Sequence, residues 1–142
     1  RKNSMRTKAR ECAFKVIFAS LFQPEGNAEF QRGVYKAFSL DEEECKYADL
    51  LLDLVKTHRE ELTQALNEYS IGFSEKRLFP VYKSLLLMAM AEIRYVDDVP
   101  PVVSIDEAVG LARKYSTEKS VGFVNGVLGT YMTEVQKNGH SD

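Results

Sequence analysis

The residues that most often carry metal or nucleophilic chemistry are scarce in this chain, with two cysteines and two histidines in 142 residues. Cys12 and Cys45 match no metal-ligand or redox spacing. Both fall in helical patterns and read as reduced small hydrophobes of a cytosolic protein. His58 and His140 stand 82 positions apart; the first fits a helix surface, the second a polar tail outside regular structure. No P-loop, Gly-x-Gly-x-x-Gly, His-Glu-x-x-His or nucleophile-elbow pattern occurs. Paired carboxylates stand only at helix starts, such as Asp41–Glu44, or in the Asp97–Asp98 turn. No local motif therefore points to catalysis, a cofactor or a metal. The longest apolar run, Leu85 to Ala91, is too short to span a bilayer. No signal-peptide pattern opens the chain, and Met5 fits a native start. The expectation is a cytoplasmic protein with no membrane contact.

What is present is ordinary globular material, 44% hydrophobic and 28% charged, of a length that suits one domain with its own core. The four prolines cluster at joints: Pro24, Pro80 and the pair Pro100–Pro101. Between them the apolar spacing is helical. Helices are expected over 6–22, 27–38, a third opened by Ser39 or Asp41 as cap, 58–69, 80–95, 105–115 capped by Ser104, and 118–136. The first carries Ala9, Ala13, Val16, Ile17 and Leu21 on one side, with Phe14, Phe18 and Phe22 as an adjoining stripe. The helix over 80–95 is apolar nearly all round and should lie at the centre. "VPPVV" reads as an extended, proline-bound linker. The fold class is all-α, a single bundle of about seven helices.

Charge is distributed unevenly. Residues 1–16 carry six basic groups against one acid, while the other 126 carry 13 basic and 20 acidic groups. That is the pattern of a basic arm and a separate acidic face. Arg6 and Arg10 share a helix face one turn apart, and Lys8 points elsewhere. Arginine forks and free N–H groups of a first helical turn both suit phosphate, although a basic run at a helix start is more often a solvated face. "SVGFVNGVL" is the second feature. Gly122, Gly126 and Gly129 line one face and suggest close helix packing. Asn125 is polar on a partly buried helix, and Phe123 is either core or a ring for a base to stack on.

Three stretches together, "RTKARECAFKVIF", "VPPVVSIDEAVGLARKYSTEKS" and "FVNGVL", resemble the NusB family of bacterial transcription antitermination factors. The resemblance runs from about Met5 to Val135. It implies an all-α fold in two packed helical subdomains, with a flexible basic start over 1–5 and a polar tail over 137–142. It implies binding to the boxA RNA of ribosomal RNA operon leaders with the ribosomal protein NusE, and joining RNA polymerase with the other Nus factors. It implies no catalysis and no cofactor. By this resemblance Arg6, Lys8, Arg10, Lys83, Phe123 and Asn125 contact RNA, and Phe18 and Tyr82 face the protein partner. Some family members pair with themselves, and the Phe14–Phe18–Phe22 stripe suits either a homodimer or the core.

The chain departs from the family pattern at several positions. Gly122 replaces a lysine before Phe-Val-Asn, Gly129 replaces an acid after it, and Tyr82 stands where an acid usually precedes the basic residue. Lys76 and Arg77 lie in an often acidic region, and Lys119 takes the place of a common acid. Two other readings stand beside the main one. The same fold forms the front domain of an rRNA cytosine methyltransferase, whose catalytic domain does not follow here. A protein-interaction module with weakened RNA affinity is the other.

Overall fold

The computed structural model describes residues 2–70 and 79–140, and the described residues form seven helices and no strand. They are α1 Lys2–Ser20, α2 Ala28–Ala37, α3 Glu42–Thr57, α4 Arg59–Tyr69, α5 Pro80–Tyr95, α6 Pro101–Tyr115 and α7 Glu118–His140. Local chemistry sets several of the ends. Gly26, at φ +86°, makes the turn after α1 that a side chain would strain. Ser39 takes the left-handed conformation that closes α2, so Asp41 rather than Ser39 caps α3. The Asp41 carboxylate accepts from the Glu44 N–H, and the Glu44 carboxylate accepts from the Asp41 N–H. This capping box satisfies two N–H groups at the helix end. The acidic run is therefore a helix start, as expected, but Glu44 itself is buried.

α6 starts earlier than expected. Pro101 is its first residue, so "VPPVV" is no extended linker beyond Pro100, and Ser104 lies buried inside the helix rather than at its cap. Proline at the first position gives up only an N–H that has no helical partner anyway. At the chain's ends, α1 begins at Lys2 and α7 runs to His140, so helix extends into both segments expected to be irregular. The break after Tyr69 begins at Ser70; residues 71–78, with Lys76 and Arg77, lie outside the described residues.

α5 is the centre. Ten consecutive residues from Ser84 to Ile93 are buried, and the helix packs against α1, α3, α4, α6 and α7. α1, α2 and α3 gather on one side of it, and α4, α6 and α7 on the other. Such all-round burial is why its sequence shows almost no polar face. The exception is Glu92, a carboxylate inside the core.

Candidate functional site

The basic residues of α1 occupy three different environments. Lys8 is about half exposed, and its ammonium stands 3.9 Å from Glu44 Oε1. Arg6 is held more closely. It donates from Nη1 and Nη2 to the Asp98 carboxylate, at 3.2 and 3.4 Å, and its guanidinium lies 4.0 Å over the Tyr47 ring. Arg10 is fully buried. Its Nε donates to both Glu92 oxygens, at 2.8 and 3.1 Å, and its Nη1 donates to Glu107 Oε1 at 3.1 Å. The Tyr47 hydroxyl also donates to Glu92. Burial opposes the Arg10 charge, but Glu92, with Tyr47 and Glu107, outweighs it and holds the guanidinium pKa above its ordinary value. Burial and the Glu92 charge together push the Tyr47 phenol up.

This corrects the expectation of an exposed Arg10. Its place at i+4 from Arg6 is real, but α1 rolls against α5 so that Arg10 turns inward while Arg6 reaches the rim. The clue lay in Glu92: an acid inside an apolar helix needs a buried cation.

A second group forms where α5 meets α7. The Tyr82 and Phe123 rings stand 5.8 Å apart, and the Tyr82 and Ser116 hydroxyls are hydrogen-bonded at 3.0 Å. Phe79, the residue before α5, meets the Tyr82 ring edge-on at 5.9 Å and is 69% exposed. Lys83 is half-buried, and Asn125 is exposed. Phe123 and Asn125 are two residues apart on α7, so they present different faces. Tyr82, expected on the partner side, thus touches Phe123, expected on the RNA side. The glycines do not pack closely. A methyl group on Gly122, Gly126 or Gly129 would meet no atom within 4 Å, which overturns the expected tight helix contact.

Phe18 lies on a third feature, an apolar groove of about 570 Å³. Phe14, Phe30, Val34, Phe38, Val81 and Tyr115 share its lining, with Lys15 at its edge. Phe14 and Phe18 of α1 line this groove, and Phe22, beyond the end of α1, lies outside its lining. Phe14 is buried, Phe18 half-buried and Phe22 66% exposed, with ring separations of 6.5 and 5.4 Å. Tyr115 is anchored by its hydroxyl, which donates to Glu11, and Lys114 pairs with the same carboxylate at 2.8 Å. Sequence reading missed the α2 wall of the groove, because Phe30, Val34 and Phe38 look like an ordinary core face until no helix covers them.

His58 is not a plain surface residue. It joins α3 to α4 and stacks on Tyr95 with ring centres 3.8 Å apart. Among the described residues no cluster of three His, Cys, Asp or Glu could hold a metal ion, and no helix is long and apolar enough to cross a membrane.

A model of the NusB family matches residues 7–133. The chain belongs to the NusB family. A transcription antitermination protein NusB from Natranaerobius thermophilus is 35% identical over 137 residues, spanning 93% of this chain and 97% of the relative. The NusB of Agathobacter rectalis is 34% identical over 128 residues, spanning 89% of this chain and 98% of the relative. Solved structures agree. A crystal structure of antitermination factors NusB and NusE in complex with dsRNA matches with a TM-score of 0.83 at 27% identity, over 92% of this chain and 98% of that one. The solution structure of NusB from Aquifex aeolicus matches with a TM-score of 0.78 at 27% identity, over 95% and 91% of the two chains. The all-α NusB fold and the family expected from the three sequence stretches are both borne out.

Proposed function

We propose that this chain binds boxA RNA of ribosomal RNA operon leaders together with NusE, and so joins RNA polymerase and the other Nus factors in processive elongation. It works in the cytoplasm and catalyses no reaction. The observation that carries the reading is the Tyr82–Phe123 contact. Tyr82 follows Val81 of the groove on α5 and its ring meets Phe123 at 5.8 Å, so in this reading an RNA strand and a protein partner would bind near one another.

In this reading Lys8 and Arg6 supply phosphate contacts, with Lys83 near the rings. Phe123 and Asn125 address unpaired bases. Phe18 and the groove take NusE, whose basic character as a ribosomal protein suits the chain's acidic remainder. Arg10 acts from inside: by fixing α1 on α5 it sets where Lys8 and Arg6 stand. Its relatives among the transcription antitermination proteins favour an antitermination factor over a methyltransferase domain. Self-pairing is the competing use of the groove, through Phe18, Phe22 and Phe30.

A native gel shift with purified chain, NusE and boxA RNA tests the proposal. A ternary band that needs both proteins and fails with scrambled RNA is expected. Protein–protein binding with no RNA in any band would overturn it in favour of an interaction module.

A further inference from the structure

Phe79 has no place in the reading above, yet among the described residues it is the most exposed of the large apolar side chains. It sits at the start of α5, with its ring against Tyr82 at 5.9 Å, and Tyr82 in turn meets Phe123 at 5.8 Å. The three rings form a ladder from the end of one helix to the side of another. Its middle rung is fixed, because Tyr82 meets both other rings edge-on or tilted and is hydrogen-bonded to Ser116. Lys83 follows Tyr82 directly, and Lys119 is exposed on α7 one turn before Phe123.

We infer that Phe79 and Tyr82 extend the base-stacking surface that Phe123 begins, so that successive unpaired nucleotides of a single RNA strand engage three rings of this chain. The inference rests on the RNA reading and deepens it. Rings on helices that also carry lysines suit a single strand, since every base offers a π-face while its phosphates seek positive charge. An apolar peptide has a better-matched site in the concave groove beside Phe18. Holding rings in place beforehand also lowers the ordering cost of binding. Because stacking reads the faces of bases rather than their edges, Phe79 adds affinity with little sequence preference.

The test uses the whole chain and a boxA-containing single-stranded RNA carrying 2-aminopurine at successive positions. Phe79→Ala should weaken binding roughly 10-fold, and so should Phe79→Leu, which keeps apolar bulk but removes the π-face. Phe79→Tyr should bind within about twofold of the parent. The salt dependence should be the same in all four, since no phosphate contact changes. Quenching of one 2-aminopurine position should be lost in Phe79→Ala and Phe79→Leu alone. Equal binding by parent and Phe79→Ala would overturn the inference while leaving the RNA reading intact. A loss seen only when NusE is present would overturn it too, by assigning Phe79 to the protein partner. If the parent chain binds no RNA with or without NusE, both readings fall.

Discussion

Arg10 on α1 and Glu92 on α5 are joined in the core by two hydrogen bonds, of 2.8 and 3.1 Å, with both side chains all but fully buried. The pair is a structural device rather than a contact surface. An isolated charge at either position would face a large desolvation penalty, so each residue requires the other. Tyr47 and Glu107 complete the network and tie α3 and α6 to the same point.

Replacing one partner of this pair should therefore be severe. Arg10→Ala should destabilise the chain by about 3–5 kcal/mol, because Glu92 is left buried and unpaired. Arg10→Met combined with Glu92→Leu should recover most of that loss. Urea unfolding of the two variants checks this, and an unchanged midpoint for Arg10→Ala would show that the guanidinium is not buried.

Lys8 should behave in the opposite way. Lys8 is half exposed and its ammonium stands 3.9 Å from the Glu44 carboxylate, so the pair contributes little to stability. Lys8→Ala should keep the parent melting temperature, weaken RNA binding and reduce the log–log salt slope by about 0.7. A fall in melting temperature with no change in slope would make Lys8 a structural residue.

Gly126 lies exposed on α7, with open space where a Cβ would stand. Gly126→Ala should therefore stabilise the chain by about 0.5–1 kcal/mol through reduced backbone entropy of the unfolded state. Chemical denaturation would show it as a raised midpoint, and a lowered midpoint would place a neighbour against that face.

Cys12 gives a dependence on pH. Burial, with a smaller contribution from the Glu11 charge, pushes its thiol from an ordinary 9.0 up to about 12. The folded state thus holds the proton more tightly than the unfolded state. The stabilisation this represents is fully present below about 9 and is lost as pH rises toward about 12. Near pH 8 the folded thiol should react slowly with iodoacetamide and quickly once denaturant is added. Rapid alkylation of the native chain would contradict the buried position.

The helices, their order and the central place of α5 were legible because apolar spacing and caps are local signals. Asp41 with Glu44 and the apolar run of α5 illustrate this. The start of α6 was misread because proline at a first helical position looks the same in sequence as proline in a linker. The site was legible only in part. Phe18 lines the apolar groove and Tyr82 meets Phe123, but spacing could not show that Arg10 turns inward, since its direction depends on Glu92, 82 residues away. Nor could it show that the glycines of α7 face open space, because a stripe of small residues reads as close packing until the neighbouring helix is placed.

The central claim is that this chain holds single-stranded RNA and does so more tightly beside its partner. Fluorescence anisotropy of labelled boxA RNA over a salt series, with and without NusE, tests it most directly. The account predicts salt-dependent binding whose affinity rises when NusE is added. Binding that is absent in both conditions, or unaffected by salt, would contradict it.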